Sequence, residues 1–356
     1  MSKNIDAYPI AMVLADTHCG KDTVEAFKLN MHEAISICQE KNIKYIFFAG
    51  DLVLSRAAQT LDILLAIHDV LEECREAGIE IVMINGNHCK VNQESPRGYC
   101  NVFDSFSNVI VVDTYLKFPI TKNVQIGLIS YFPEQGSFMQ KLEELEKIMF
   151  DGTKAFRILI IHEGIRGGLG DATDTELPAK LFSKWNKVLV GHYHNRNTIA
   201  PNIEYIGSSR QHNFGEDEEK GYTVIYTDGT HEFIKNNANT RYRVIDVTAE
   251  RAGIRLMDEL REIDADGRYK VKVRVHAPQA AMKSVDKAAL LDAGATRVEL
   301  IADDEELMNI SSSSLYEKFD SHRIKETYEE FCREKQIDDV AIGLEYLSKI
   351  EGQCGN

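Results

Sequence analysis

No stretch of this chain stays apolar long enough to cross a bilayer. The longest runs, such as Tyr45 to Ala49 and Ile158 to Ile161, fall far short of the roughly 20 residues that a spanning helix needs. The first residues also lack a charged-then-apolar signal pattern, so neither export nor a membrane partner is expected. Cysteine is sparse and scattered: Cys19, Cys38, Cys74, Cys89, Cys100, Cys332 and Cys354 form an odd set without a CxxC pair. That excludes a disulfide framework and a thiolate zinc site, and a reducing cytoplasm is the expected setting. Positive charge is in deficit, with 41 Lys and Arg against 56 Asp and Glu, a net charge of -15 and a pI near 5.3. Most of such a surface repels a polyanion, so contact with nucleic acid needs a local basic patch. There is no internal repeat, and no low-complexity segment beyond the Ser311 to Ser314 run.

What is present reads as an ordinary globular protein, with 44% hydrophobic and 27% charged residues. At 356 residues, one large domain with a smaller appendage is expected. Ile10 to Ala15 reads as a strand, and Val24, Phe27, Met31, Ala34, Ile35 and Cys38 then recur at helical spacing, with Asp22 as the expected N-cap. The unit repeats in the strand Tyr45 to Ala49, a helix over Leu61 to Cys74 stopped by Gly78, and the strand Ile79 to Ile84. These are βαβ crossovers with buried strands, which make the chain an α/β protein. From Val109 the strands come closer together, at Val109 to Val112, Val124 to Ile129, Ile158 to Ile161, Val188 to Val190, Ile203 to Ile206 and Tyr222 to Tyr226. Turn signals such as Asp228-Gly229 predict a second, more antiparallel sheet there.

This domain is expected to occupy residues 1–247. A small α/β module is expected over 248–310, with a strand of alternating residues around Tyr269, Val271, Val273 and Val275, a helix near Val285 to Leu291 and a strand over Arg297 to Ile301. Residues 311–356 carry an amphipathic helical pattern through Leu315, Phe319, Ile324, Tyr328 and Phe331.

Five short clusters each follow a strand: Asp16-Thr17-His18, Gly50-Asp51, Gly86-Asn87-His88, His162, and Gly191-His192-Tyr193-His194. Loops beyond the carboxyl ends of strands in an α/β sheet converge on one crevice, so dispersed clusters can meet in space. Imidazole, carboxylate and amide oxygen together suit manganese, iron or zinc. Two ions about 3.5 to 4 Å apart need a shared carboxylate and a few private ligands each. Asp16, His18, Asp51, Asn87, His162, His192 and His194 supply enough donors, leaving His88 unligated. Any one of these histidines alone would more often be a hydrogen-bonded structural residue. Five clusters after five apolar strands change that balance.

The order D-x-H, G-D, G-N-H, H, G-H-x-H resembles the calcineurin-like metallophosphoesterase signature. Tyr205-Ile206-Gly207-Ser208-Ser209, Phe214-Gly215-Glu216 and Lys220-Gly221-Tyr222 further resemble the sequence that follows the last motif in SbcD-type recombination and repair nucleases. His162-Glu163-Gly164 with Gly167-Gly168 is similar to that group's fourth motif. The resemblance implies two packed β-sheets flanked by helices, a small α/β capping domain and a helical tail that binds an SbcC-like ATPase of the SMC family. It places Asp16, His18, Asp51 and His194 on one ion and Asp51, Asn87, His162 and His192 on the other, with Asp51 bridging. It implies manganese-dependent hydrolysis of DNA phosphodiesters as an exonuclease, an endonuclease or both. Attack on phosphorus is in line, and His88 stabilises the growing charge or protonates the leaving oxygen. Magnesium, iron and zinc are the alternative ions, and a homodimer is compatible with the layout.

Two positions depart from the pattern. Cys89 stands where an acidic residue commonly follows the G-N-H histidine, and Leu52-Val53-Leu54-Ser55-Arg56 follows the G-D motif. Both bear on how His88 is supported. Lys90, Arg97, Arg166, Arg196 and Arg210 fall in or just beyond the motif loops. They are the expected DNA contacts of an otherwise acidic protein, against the plainer reading of solvated surface charge. Cys19 and Cys89 read as small packed residues. His32, His68, His231, His276 and His322 read as structural or solvated, and so does His212, except that beside Arg210 it can approach a phosphate backbone. A small-substrate phosphatase or cyclic-nucleotide phosphodiesterase is the second functional reading. A non-catalytic subunit of a recombination complex is the third.

Overall fold

The computed structural model describes residues 7–168, 175–265, 267–302 and Cys332. The chain divides into two compact units, residues 1–243 with 268–270, and residues 244–267 with 271–356. The expected tail beyond residue 310 lies outside the described residues, apart from the single position Cys332.

In chain order the first unit contains β1 (Pro9–Leu14), α1 (Val24–Lys41), β2 (Tyr45–Ala49), α2 (Leu61–Glu76), β3 (Glu80–Ile84), β4 (Val109–Val112), β5 (Tyr115–Pro119), β6 (Val124–Ile129), α3 (Phe138–Met149), β7 (Phe156–Ile161), β8 (Lys187–Val190), β9 (Asn197–Ala200), β10 (Ile203–Tyr205), β11 (Gly221–Tyr226) and β12 (His231–Lys235). Two six-stranded sheets result, ordered β12-β11-β1-β2-β3-β4 and β5-β6-β7-β8-β10-β9.

Three apolar layers hold this unit together. Phe27, Met31, Ile63, Ile67 and Val70 seat α1 and α2 on the outer face of the first sheet. Val13, Phe47, Ile84, Ile126, Ile158 and Leu189 fill the space between the sheets. Phe138, Leu142 and Leu145 of α3 cover the outer face of the second sheet together with Trp185. The result is an α/β sandwich of two packed mixed sheets flanked by helices.

The second sheet departs from the antiparallel expectation. β6, β7, β8 and β10 run parallel, and only the edge strands β5 and β9 are antiparallel. The reason is burial: every residue of β6 and β8 is buried, and strands covered on both faces belong to parallel sheets. Two segments expected in the second sheet belong to the first. β4 pairs parallel to β3, and β11 inserts antiparallel beside β1, forming with β12 the hairpin that Asp228-Gly229 closes. The N-cap of α1 is Thr23 rather than Asp22. Gly78, at φ +70°, ends the α2 segment as expected.

In the second unit β13 (Arg241–Thr248), which starts in the first, α4 (Ile254–Asp264), β14 (Tyr269–Ala277), α5 (Lys287–Asp292) and β15 (Ala295–Ala302) form a three-stranded sheet, ordered β13-β14-β15, with two helices. β14 buries Val271, Val273, Val275 and Ala277 on one face, the period of two that its sequence shows. Asp286 caps α5 by accepting from the Ala289 amide at 3.0 Å. Among the described residues no helix is long and apolar enough to cross a membrane.

Candidate metal centre

Parallel strands deliver the site. The loops after β1 and β2 are laced together, Asp16 N to Gly50 O at 3.1 Å and His18 N to Asp51 O at 3.0 Å, and the loop after β8 joins β7 through Gly191 N to Ile161 O at 2.9 Å. The backbone is strained where the side chains converge. Asp16, His18, Asp51 and His192 all have positive φ, at 53°, 43°, 52° and 92°. Non-glycine residues rarely sit there, and such conformations persist only where the surroundings enforce them. Gly50 has φ +93°, and a Cβ on it would lie 2.2 Å from the His162 ring, so this turn accepts no side chain.

The seven expected ligand residues are brought together. His18 Nε2 lies 3.1 Å from His194 Nε2, 3.9 Å from Asp16 Oδ1 and 3.8 Å from Asp51 Oδ2. His162 Nε2 lies 3.2 Å from Asp51 Oδ2 and 3.0 Å from the Asn87 amide, which is 3.3 Å from His192 Nδ1. Asp51 thus stands between two groups of donors. Asp16, His18, Asp51 and His162 are all buried, and Asp16 Oδ1 is a buried acceptor with no hydrogen bond among the described residues. A convergence of lone pairs with an orphaned carboxylate oxygen is the chemistry a divalent cation satisfies, and the donor set fits one.

Outer contacts fix the imidazoles. His162 Nδ1 donates to Ala49 O at 2.8 Å and His194 Nδ1 to Glu216 Oε1 at 2.8 Å, so each ring directs Nε2 inward. His88 Nδ1 donates to Leu54 O at 2.6 Å, so a backbone carbonyl orients its ring. Asp51 Oδ1 accepts from the His88 amide at 2.8 Å.

Charge is distributed unevenly across this cluster. Burial pulls His18 and His192 down to about 3, so both are neutral donors. Burial also opposes charge on His162, but the Asp51 and Asp16 carboxylates outweigh it and raise that group to about 9. Burial raises Asp16. On Asp51 burial is outweighed by His162 and His18, which hold the carboxyl below its usual range. A divalent cation would replace the proton on His162 as the partner of Asp51.

A cavity of about 360 Å³ opens on the site, lined among others by His18, Asp51, His88, His192, His194, Arg210 and His212. His18 stands between two further imidazoles, with ring centroids 4.9 Å from His88 and 5.1 Å from His212. His212 Nε2 donates to Asp16 O at 2.9 Å. This places His212 at the site, whereas its sequence context offered only its neighbour Arg210. Glu216 was visible in sequence only as part of a motif, with nothing to announce its bond to His194.

Of the five expected phosphate contacts, Arg97 and Arg166 are exposed and Arg196 is half-buried, whereas the expectation of a solvent-facing position is corrected for Lys90 and Arg210. Lys90 is buried, its ammonium donating to Tyr131 O at 2.5 Å above the Phe132 ring. Arg210 is buried against Thr17 O and His18 O, at 3.0 and 3.2 Å, and braces the first ligand loop. Arg196 pairs with Glu204 and lies over Phe233. Arg97 is exposed but paired with Asp104 at 2.8 Å, and Arg166 donates to Glu176 O at 3.1 Å. For Lys90 and Arg210 the physical reason is that buried carbonyls need donors, and these cations supply them. Cys19 and Cys89 are buried and free. Among the described residues, neither joins the imidazole and carboxylate groups that could hold an ion.

Two mixed sheets with nitrogen and oxygen donors converging beyond their parallel strands define a metal-dependent hydrolase. The chain belongs to the calcineurin-like phosphoesterase family, whose model matches residues 11–196. Two viral relatives are described by name as phosphoesterases. They are 078R of Invertebrate iridescent virus 3, 23% identical over 58% of this chain and 59% of its own length, and 244L of Invertebrate iridescent virus 6, 21% identical over 60% and 74%. The chain therefore spans little more than half the length of the first. Similar solved structures include a dimetal phosphatase from Danio rerio, 12% identical with a TM-score of 0.41 over 55% of this chain and 86% of that one. A nuclease MPE from Pseudomonas putida is 16% identical, with a TM-score of 0.27 over 55% and 66%.

Proposed function

We propose that the protein is a two-metal phosphodiesterase that cuts DNA, with manganese as the working ion, acting beside an SMC-type ATPase. The observation that carries the hydrolase reading is Asp51, buried between His18 on one side and His162 with Asn87 on the other. Two divalent ions held there would lower the pKa of a water and neutralise the phosphate's charge. His88, with Nδ1 committed to Leu54 O, keeps Nε2 for the leaving oxygen. The choice of DNA and of the ATPase partner rests on the resemblance of residues 205–222 to SbcD-type nucleases. The enclosure of Lys90 and Arg210 favours a second reading, a phosphoesterase for small substrates.

Purified protein with Mn²⁺ is incubated with labelled single- and double-stranded DNA and with bis-p-nitrophenyl phosphate, alongside His88→Ala and Asp51→Asn. Release of nucleotides by the parent alone supports the nuclease. Turnover of the aryl ester without DNA cleavage, with or without the ATPase, supports the second reading. Inertness toward both overturns both.

A further inference from the structure

The Asn87 amide is asked to face two ways. With its oxygen toward His162 and His192, its nitrogen meets the Arg56 guanidinium, donor against donor. With the amide turned, the oxygen accepts from Arg56 Nη2 at 2.5 Å and the nitrogen donates to Asp51 Oδ2 at 3.2 Å. A cation binds the oxygen of an amide, so Asn87 serves as a ligand only by withdrawing that oxygen from Arg56. Arg56 is an exposed side chain, on a backbone whose carbonyl accepts from Tyr99 Oη at 3.4 Å. Two residues earlier, the loop has fixed His88 through Leu54 O. The five other basic residues near the motif loops are tied to carboxylates or carbonyls.

We infer that Arg56 is the phosphate-anchoring residue of this site, parked on Asn87 and released to an oxygen of the substrate phosphate when Asn87 turns to a cation. The inference rests on the phosphoester reading above and deepens it. A guanidinium forms a fork that matches phosphate oxygens, and once its amide acceptor is withdrawn the nearest new anion is the phosphate group of the substrate. Arg56 lies outside the donor set, so its loss removes an anion contact and a competitor for Asn87.

The test is calorimetric, on the full chain, with Mn²⁺ alone and then with inorganic phosphate added to the Mn²⁺-loaded protein. Wild type is compared with Arg56→Gln and Arg56→Lys. Phosphate affinity is expected to fall about tenfold to a hundredfold in Arg56→Gln, the loss of one charge-assisted contact, and to recover in part in Arg56→Lys. Mn²⁺ affinity is expected to stay unchanged or to tighten. Equal phosphate affinity in wild type and Arg56→Gln overturns the anchoring role while leaving the phosphoester reading standing. Weaker Mn²⁺ binding by Arg56→Gln also overturns it, since Arg56 then merely positions Asn87. Absence of Mn²⁺ uptake by wild type overturns the phosphoester reading and this inference together.

Discussion

His18 and His194 aim their Nε2 atoms at each other across 3.1 Å, although 175 residues of chain lie between them. Glu216 holds His194 from behind, whereas the buried Nδ1 of His18 has no hydrogen-bond partner among the described residues. Two imidazole nitrogens this close share either one proton or one cation. A cation that binds only the folded state stabilises it by about 2.7 kcal/mol at a hundred times its Kd. Adding Mn²⁺ should therefore raise the melting temperature in proportion to the logarithm of its concentration, EDTA should reverse the rise, and His18→Ala should flatten it. Differential scanning fluorimetry reads this directly. A melting temperature indifferent to divalent ions counts against the metal centre.

Glu216 ties together more of the site than its place in the sequence suggests. It accepts from His194 Nδ1, from the His212 amide at 3.0 Å and from Asn213 Nδ2 at 3.1 Å. Carboxylates behind ligand histidines raise ligand basicity and fix the ring, and losing one typically weakens metal binding about 10- to 100-fold. Glu216→Ala is expected to show that loss in a Mn²⁺ titration. Glu216→Gln, which keeps an acceptor oxygen without the charge, should lose less. Equal losses in the two variants would mean that the charge contributes nothing.

The residues that converge at the site were readable because each is named by a strand and the few residues after it, a local pattern. Sheet membership was not, because strand neighbours are chosen across the fold. Val109 to Val112 and Tyr222 to Tyr226 look alike as short apolar runs, yet one closes an edge of the first sheet and the other is inserted beside β1. The burial of two basic residues was illegible for a related reason. Sequence shows that Lys90 and Arg210 adjoin the motifs, but not that Tyr131 O, Thr17 O and His18 O lie waiting for donors. Arg56 appeared in sequence only as a departure from a family pattern, and its contact with Asn87 requires the loops after β2 and β3 to meet.

Phe47 measures how strongly the two sheets are joined. It is fully buried in the layer between them, and its ring meets Phe118 edge-on at 5.5 Å. Truncating such a ring removes its burial and leaves a cavity, at a cost of about 3–5 kcal/mol. Urea unfolding of Phe47→Ala, followed by tryptophan fluorescence from Trp185, should show a loss of that size. A loss well below it would mean that the sheets close over the missing ring.

Acid sensitivity should be traceable in part to Glu204, away from the metal centre. Its carboxylate meets Lys187 at 2.9 Å, His231 at 2.9 Å and the Arg196 guanidinium. Burial works against its charge, but these partners prevail and bring its pKa from 4.5 down to about 2. The folded chain therefore binds this proton more weakly than the unfolded chain. The stabilisation is whole above about pH 4.5 and is lost as pH falls toward 2. In Glu204→Gln that contribution is gone at every pH, so the variant should be less stable than wild type at pH 7. The gap should narrow as both are acidified through the window from 4.5 to 2. Urea midpoints collected across that range test it, and a gap that stays constant with pH would show that the carboxylate's charge is not what Lys187, His231 and Arg196 are holding.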